Sequence, residues 1–185
     1  MPSIAATLGT RTAVIQQTLS IFVVCYGIGQ LGFGPLSDRY GRRVPLMVAL
    51  MVYVVASVVC AFSTTAWVYG VGRAFQGFGA CAAAVAFVAV SRDCFSGREL
   101  GRVLALAGGL SSVVPFAAPL LGAELDRRLG WRSGSMLLAV CGFILVLWIA
   151  LTLPETGRPR TVSPVQRHDW RWIVNRDFLR YTAIN

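Results

Sequence analysis

The chain has 185 residues, of which 56% are hydrophobic and 14% are charged, and its formal net charge is +9. So apolar a composition excludes an ordinary soluble domain and indicates a membrane protein, whose first partner is the lipid bilayer. The positive charge would also suit a nucleic-acid-binding protein. The arginines, however, lie between apolar runs and form no continuous basic face, so we expect no nucleic-acid partner.

Five apolar runs follow one another along the chain. Crossing about 30 Å of hydrocarbon at 1.5 Å per residue takes about 20 residues in a helix, and each run is about that long. None alternates polar and apolar residues as the strands of a membrane barrel do. The predicted fold class is therefore all-α, a polytopic transmembrane bundle of about five helices. The runs cover residues 13–36, 44–63, 65–91, 103–123 and 134–153.

The arginines indicate how the bundle is oriented. Twelve of them lie after the first, third and fifth runs, and only four lie on the opposite side. Because basic residues concentrate in cytoplasmic loops, the amino terminus is predicted outside and the carboxyl terminus inside. This predicts an external lead over residues 1–12, without a signal peptide, a bundle over 13–153 and a cytoplasmic basic tail or inter-half linker over 154–185.

A polar turn occurs twice. The segment GPLSDRYGRR at 34–43 has an echo in GAELDRRLGWR at 122–132. The two copies are three helices apart, so they face opposite sides of the membrane, as in the inverted repeats of many secondary transporters. The alternative is that a hydrophobic protein contains two similar polar turns by chance.

Four motifs resemble signatures of the major facilitator superfamily, a twelve-helix transporter fold. Residues 34–43 resemble its signature between helices 2 and 3, and RAFQG at 73–77 resembles its helix 4 signature. APLLG at 118–122 resembles the helix 5 antiporter signature, and LPET at 153–156 resembles the segment after helix 6. With GWR at 130–132, the pattern is most similar to the Bcr/CflA group of drug:proton antiporters. Val114 and Ala118 depart from the antiporter signature, which commonly has glycine there.

The resemblance covers roughly helices 2 to 6 of such a fold. It implies a fragment of the amino-terminal half, and we expect a further helix upstream.

The resemblance also implies a gate at the first polar turn, which would latch the two halves of the transporter in one access state. An aspartate at a helix carboxyl end is unfavourable unless cations compensate for it, and three arginines surround Asp38. The alternative is that these arginines only set the topology. The candidate gating residues are Gly34, Asp38, Arg39, Gly41, Arg42 and Arg43.

Arg73 lies inside the third apolar run, where a charged side chain costs about 2.5 to 3.5 kcal/mol. It is therefore expected to face protein or a water-filled cavity. No Asp or Glu lies in any of the five runs, so its counter-charge would come from a missing helix, a substrate or lipid headgroups. Gln76 shares its helix face and Gly77 follows, and the three are candidate cavity or coupling residues. The alternative is that Arg73 reaches the interface by snorkelling.

Two further groups are candidates. Pro115, Pro119 and Gly122 form the helix 5 antiporter-like motif, and the two prolines predict a bent helix. Tyr26 and Gln30 of the first run are candidates to face a substrate.

The resemblance implies a secondary active transporter in the cell (inner) membrane that exports small drug-like molecules in exchange for protons by alternating access. It would work together with the missing transporter helices. The coupling acid would lie outside the five runs. The chain has no phosphate-binding loop and no zinc-protease or serine-hydrolase motif, so we expect no enzyme, no cofactor and no metal site. The alternative is a truncated, non-transporting membrane remnant or interaction protein.

Overall fold

The computed structural model of the protein describes residues 2 to 152, and within that range it is built of helices without strands. Five of the helices are long and apolar enough to cross a membrane, which confirms the predicted all-α transmembrane bundle. The predicted tail and the LPET motif lie outside the described residues. The helices are α1 (Pro2–Thr7), α2 (Thr12–Tyr40), α3 (Arg43–Ala61), α4 (Ala66–Cys94), α5 (Gly97–Leu129) and α6 (Arg132–Thr152).

The helices α2, α4 and α5 extend beyond their apolar runs. The largest extension is in α5, which starts six residues before the predicted run and ends six residues after it. Charged residues at both ends of α5 continue the helix, because helix formation does not require an apolar side chain at every position. The predicted lead contains the short helix α1, whose Ile4 and Ala5 are buried against the outer end of the bundle.

The helix α4 lies at the centre of the bundle and packs along both α2 and α3. Its glycines allow this approach. A Cβ atom on Gly79 would lie 2.6 Å from the Ala49 carbonyl oxygen of α3, and one on Gly77 would lie 3.0 Å from the Tyr26 amide nitrogen of α2. Small residues let helix backbones come close in a membrane, where apolar burial alone gives little driving force. Gly77 and Gly79 thus bring the α4 backbone close to both neighbouring helices.

The two polar turns share one backbone conformation. Gly41 ends α2 at φ 88° and ψ 173°, and Gly130 ends α5 at φ 81° and ψ 166°. A side chain is disfavoured at such positive φ values, which explains the glycine in both copies. In each case the next long helix begins two residues later, at Arg43 and at Arg132. The matching geometry supports the interpretation of the two turns as repeats.

The helix α5 lies apart from the others. It makes small contacts with α4 and α6, and none of its residues is buried. It continues as one helix through Pro115 and Pro119. Large apolar side chains also face outward on α2, α3, α4 and α6. An outward apolar surface of this kind fits a bundle surrounded by lipid.

Candidate functional site

Arg73 is the centre of a polar network in the amino-terminal half of α4, which is the predicted outer half. Its Nε and Nη2 groups donate hydrogen bonds to the Tyr69 hydroxyl oxygen at 3.1 and 2.6 Å, and Nη1 donates to Gln76 Oε1 at 3.3 Å. The guanidinium also lies 5.1 Å from the centre of the Tyr69 ring, within range of a cation–π interaction. Among residues 2 to 152, no carboxylate forms a salt bridge with Arg73.

The network continues into α3. Gln76 Nε2 donates to Ser57 Oγ at 2.7 Å, and the Ser57 hydroxyl donates to the Tyr53 carbonyl oxygen at 2.8 Å. Gln76 is 1% exposed and Ser57 is fully buried. A buried polar group without a partner is costly, and these two residues satisfy each other. The expectation that Gln76 shares the Arg73 face is confirmed by the contact between them.

Tyr69 is held from the other side by a small apolar cluster at the outer end of the bundle. The cluster contains Ile4 and Ala5 of α1 and Ile15 of α2, and Trp131 packs at its margin. The Trp131 and Tyr69 rings meet edge to face, with their centres 6.1 Å apart. Cys60 of α3 also belongs to this cluster, so the phenol that accepts from Arg73 is fixed by packing from four other parts of the chain.

A second polar site lies at the carboxyl-terminal end of α4, which is the predicted cytoplasmic end, about 30 Å from Arg73 along that helix. Arg42 Nη1 lies 2.6 Å from Asp38 Oδ1 of α2, and Arg42 Nε lies 3.3 Å from Asp93 Oδ2 of α4. Both acids lie in the last turns of their helices, where the helix dipole disfavours them and a shared cation compensates. Arg42 thereby joins the carboxyl-terminal ends of α2 and α4.

The other arginines of the first polar turn have different contacts. Arg43 Nη2 donates to the Ala150 carbonyl oxygen in the last turn of α6 at 2.6 Å. The Arg39 guanidinium lies 5.5 Å from the centre of the Tyr40 ring. The structure thus joins Asp38 with Arg42, as the sequence indicates, but directs Arg43 toward α6.

A polar groove of about 580 Å³ runs between α2 and α4 beside this cluster. Gln30 and Gly34 line it together with Asp38, Arg42 and Asp93. Gln30 therefore lies near the cytoplasmic cluster. Tyr26 is half-buried, stacks on Phe22 and packs against the cytoplasmic core. The antiporter-like residues Pro115, Pro119 and Gly122 are exposed on α5, and nothing lies within 4 Å of a Cβ atom placed on Gly122.

Sequence reasoning missed three residues of these sites: Ser57, Tyr69 and Asp93. Ser57 is a lone hydroxyl in the apolar stretch VVASVV, and its spacing gives no hint of a partner 19 residues away. Tyr69 lies four residues before Arg73, so helical spacing could have found it. Asp93 lies beside Arg92 just beyond the third apolar run, where an acid at a helix carboxyl end is a recognisable signal.

Comparison with known proteins agrees with the motifs. The family model of the Major Facilitator Superfamily matches residues 1–183. The chain belongs to the Major Facilitator Superfamily. The resemblance stated from the motifs is thereby confirmed, and the five long helices are part of a multi-pass membrane transporter fold.

Three relatives of this superfamily are informative. The chain is 43% identical to a chloramphenicol resistance protein of Pseudomonas aeruginosa over 134 residues, which are 72% of the chain and 32% of the relative. It is 38% identical to the uncharacterized MFS-type transporter YdgK of Bacillus subtilis, over 84% of the chain and 39% of the relative. It is 32% identical to the multidrug resistance protein MdtL of Escherichia coli, over the whole chain and 47% of the relative. The chain spans less than half the length of these relatives.

Proposed function

We propose that the chain forms part of a proton-coupled carrier in the cell (inner) membrane, which exports small drug-like molecules by alternating access. The relatives support the substrate class, since their names describe resistance to chloramphenicol and to multiple drugs. Protons and the remaining transporter helices would be its other partners. The coupling acid would lie outside the five apolar runs, because these contain neither Asp nor Glu.

The observation that carries this proposal is the bridge through Arg42. Alternating access requires contacts that hold one state and then release. The Arg42 side chain is 18% exposed, whereas Asp38 and Asp93 are 58% and 36% exposed. Ion pairs this close to solvent contribute about 0 to 1 kcal/mol each, so they can form and break within a transport cycle. The cluster formed by Asp38, Arg42 and Asp93 is therefore suited to a reversible latch.

Arg73 would act in the carrier cavity, far from the latch along α4. Its guanidinium is partly exposed and has two neutral acceptors among the described residues, Tyr69 and Gln76. A cation arranged in this way can attract an electron-rich or acidic group without already being neutralised. Gly77 would support this role by letting α2 approach α4 closely beside Arg73.

The test is transport by everted membrane vesicles from cells that express the natural reading frame containing this chain. Vesicles acidified inside should accumulate chloramphenicol or ethidium, and a protonophore should abolish the accumulation. Asp38→Asn removes one of the charge partners of Arg42 and should lower the transport rate while leaving membrane abundance unchanged. Glu124→Gln, at an exposed ion pair of α5, is the matched control and should transport normally.

Two results would contradict the proposal. Accumulation that ignores both the protonophore and the pH gradient would exclude proton coupling. No accumulation of any tested drug, from a reading frame with stop codons on both sides of this chain, would support the non-transporting remnant. Unchanged transport in Asp38→Asn would leave the carrier but reject the latch.

A further inference from the structure

The hydrogen bonds around Arg73 run in one direction. The guanidinium donates to the Gln76 carbonyl oxygen, the Gln76 amide donates to the Ser57 hydroxyl, and that hydroxyl donates to the Tyr53 carbonyl. A guanidinium can only donate, whereas a hydroxyl and an amide can do both. The orientation of the Gln76 amide is thus fixed by hydrogen bonds at both its oxygen and its nitrogen.

Ser57 has a specific effect on that orientation. Its proton is committed to the Tyr53 carbonyl, so the Ser57 oxygen offers a lone pair to Gln76. This lone pair holds the NH₂ group of Gln76 toward α3 and leaves the amide oxygen facing Arg73. Without Ser57 Oγ, the NH₂ group would be buried without this acceptor, and rotation of the amide would point donors at the guanidinium.

The opposite side of the guanidinium is held by Tyr69, which lies outside the chain of hydrogen bonds through Gln76 and Ser57. The Tyr69 ring packs in the cluster of α1, Ile15 of α2 and Cys60 of α3, with Trp131 at its margin, and its oxygen accepts two hydrogen bonds from Arg73. The guanidinium is therefore held between a phenol positioned by the outer end of the bundle and an amide positioned by α3. Of these two contacts, only the one with the Gln76 amide depends on a single small hydroxyl, that of Ser57.

We propose that Ser57 of α3 is a positioning residue for Arg73, which acts through the Gln76 amide to hold the guanidinium in one orientation. The consequence for transport rests on the proposed function, because it assumes that Arg73 acts in the carrier cavity. The effect of Ser57 on the orientation of the Arg73 guanidinium does not rest on the proposed function. A movement of α3 relative to α4 would break the 2.7 Å contact and release one side of the guanidinium.

The test measures the reactivity of Arg73 in the 185-residue chain in native membranes. Phenylglyoxal modifies arginine guanidinium groups, and mass spectrometry of the peptides gives the modification rate at each arginine. Ser57→Ala should label Arg73 about threefold faster, as expected for the loss of one hydrogen bond of modest net strength. Ser57→Thr keeps the hydroxyl and should restore the wild-type rate.

Two controls make this result specific. Ser63→Ala removes another buried hydroxyl, which bonds the Cys60 carbonyl and lies outside the network, so it should leave Arg73 labelling unchanged. The labelling rate of Arg132 should be the same in all variants and reports an intact fold. If Ser57→Ala does not accumulate, Ser57→Cys replaces it, because sulfur is a weak acceptor and should also accelerate labelling.

Equal Arg73 labelling in the Ser57→Ala and Ser63→Ala variants would overturn the proposal, and so would a failure of Ser57→Thr to restore the wild-type rate. Transport supplies a separate measurement. In vesicles that transport, Ser57→Ala should lower the rate about threefold and Ser57→Thr should restore it. If the wild type does not transport, the proposed function fails, but the labelling result still decides whether Ser57 positions Arg73.

Discussion

The helices α4 and α5 are similar in length, and their apolar stretches have similar hydropathy, but the two helices differ in their surroundings. Ten residues of α4 are buried, whereas none of α5 is. Both helices are rich in glycine. In α4 a Cβ placed on any of the four glycines would lie within 4 Å of a neighbouring helix, while no atom comes within 4 Å of a Cβ placed on the α5 glycines 101, 108, 109 and 122. The contrast shows that small residues alone do not produce packing, which also requires a second helix at the right distance.

The largest expected effect of this difference is on folding. Gly79→Leu should prevent the close approach of α3 and α4, because its Cβ would lie 2.6 Å from the Ala49 carbonyl oxygen and 2.8 Å from the Tyr53 amide nitrogen. Backbone atoms cannot move aside as a side chain can, so we expect a loss of about 3 kcal/mol or more. Gly108→Leu on α5 should leave stability nearly unchanged. Thermal unfolding in detergent, followed by size-exclusion chromatography, measures both variants. Equal unfolding temperatures would contradict the packing of α4.

The sequence predicted the number and type of the long helices because an apolar run of about 20 residues matches a membrane-spanning helix and is about twice as long as a barrel strand. It did not predict their ends. Hydropathy reports where the lipid stops, whereas α5 continues through charged turns to Gly130, whose positive φ ends the helix. Residues 1–12 were expected as a plain lead, and the apolar contacts of Ile4 and Ala5 that hold α1 depend on three other segments.

The contacts in the two polar sites also divide into those that the sequence predicts and those that it does not. Contacts within one helix or turn, such as Arg73 with Gln76 and Asp38 with Arg42, follow from spacings of three and four residues. Contacts between helices do not. Ser57 and Asp93 join their sites because α3 and α4 have particular rotations about their axes, which a single sequence does not specify. The direction of Arg43 toward α6 belongs to the same class.

An intermediate effect is expected at the outer end, where aromatic contact joins α4 to the turn between α5 and α6. Trp131→Ala should destabilise the bundle by about 0.5 to 1.5 kcal/mol beyond its lost apolar area, because it removes the edge-to-face contact with Tyr69. Phe116→Ala on α5 is the matched control, since Phe116 is 78% exposed. Thermal unfolding in lipid nanodiscs measures the difference. A larger effect from Phe116→Ala would mean that α5 is packed and Trp131 is not.

The smallest expected effects concern the charges at the ends of the two helices. At the end of α5, Glu124 pairs with Arg127 at 3.6 Å and with Arg128, and both arginines are more than three-quarters exposed. At the end of α4, Asp93 pairs with Arg42, whose side chain is 18% exposed. Solvent screens the first pairs more than the second. Glu124→Gln should therefore change the free energy of unfolding by less than about 0.5 kcal/mol, and Asp93→Asn by up to about 1 kcal/mol.

The dependence on ionic strength should distinguish Glu124→Gln from Asp93→Asn more clearly than their unfolding free energies at one salt concentration. Raising ionic strength from about 0.1 to 1 M shortens the screening length from about 10 to 3 Å, which should remove what little Glu124 contributes. Asp93→Asn should remain measurable in high salt, because it removes a contact to Arg42, whose side chain is only 18% exposed. If both variants lost their effect equally, Arg42 would be as solvated as the α5 arginines. The carboxyl-terminal ends of α2 and α4 would then depend on the apolar packing around Phe33 and Ala86.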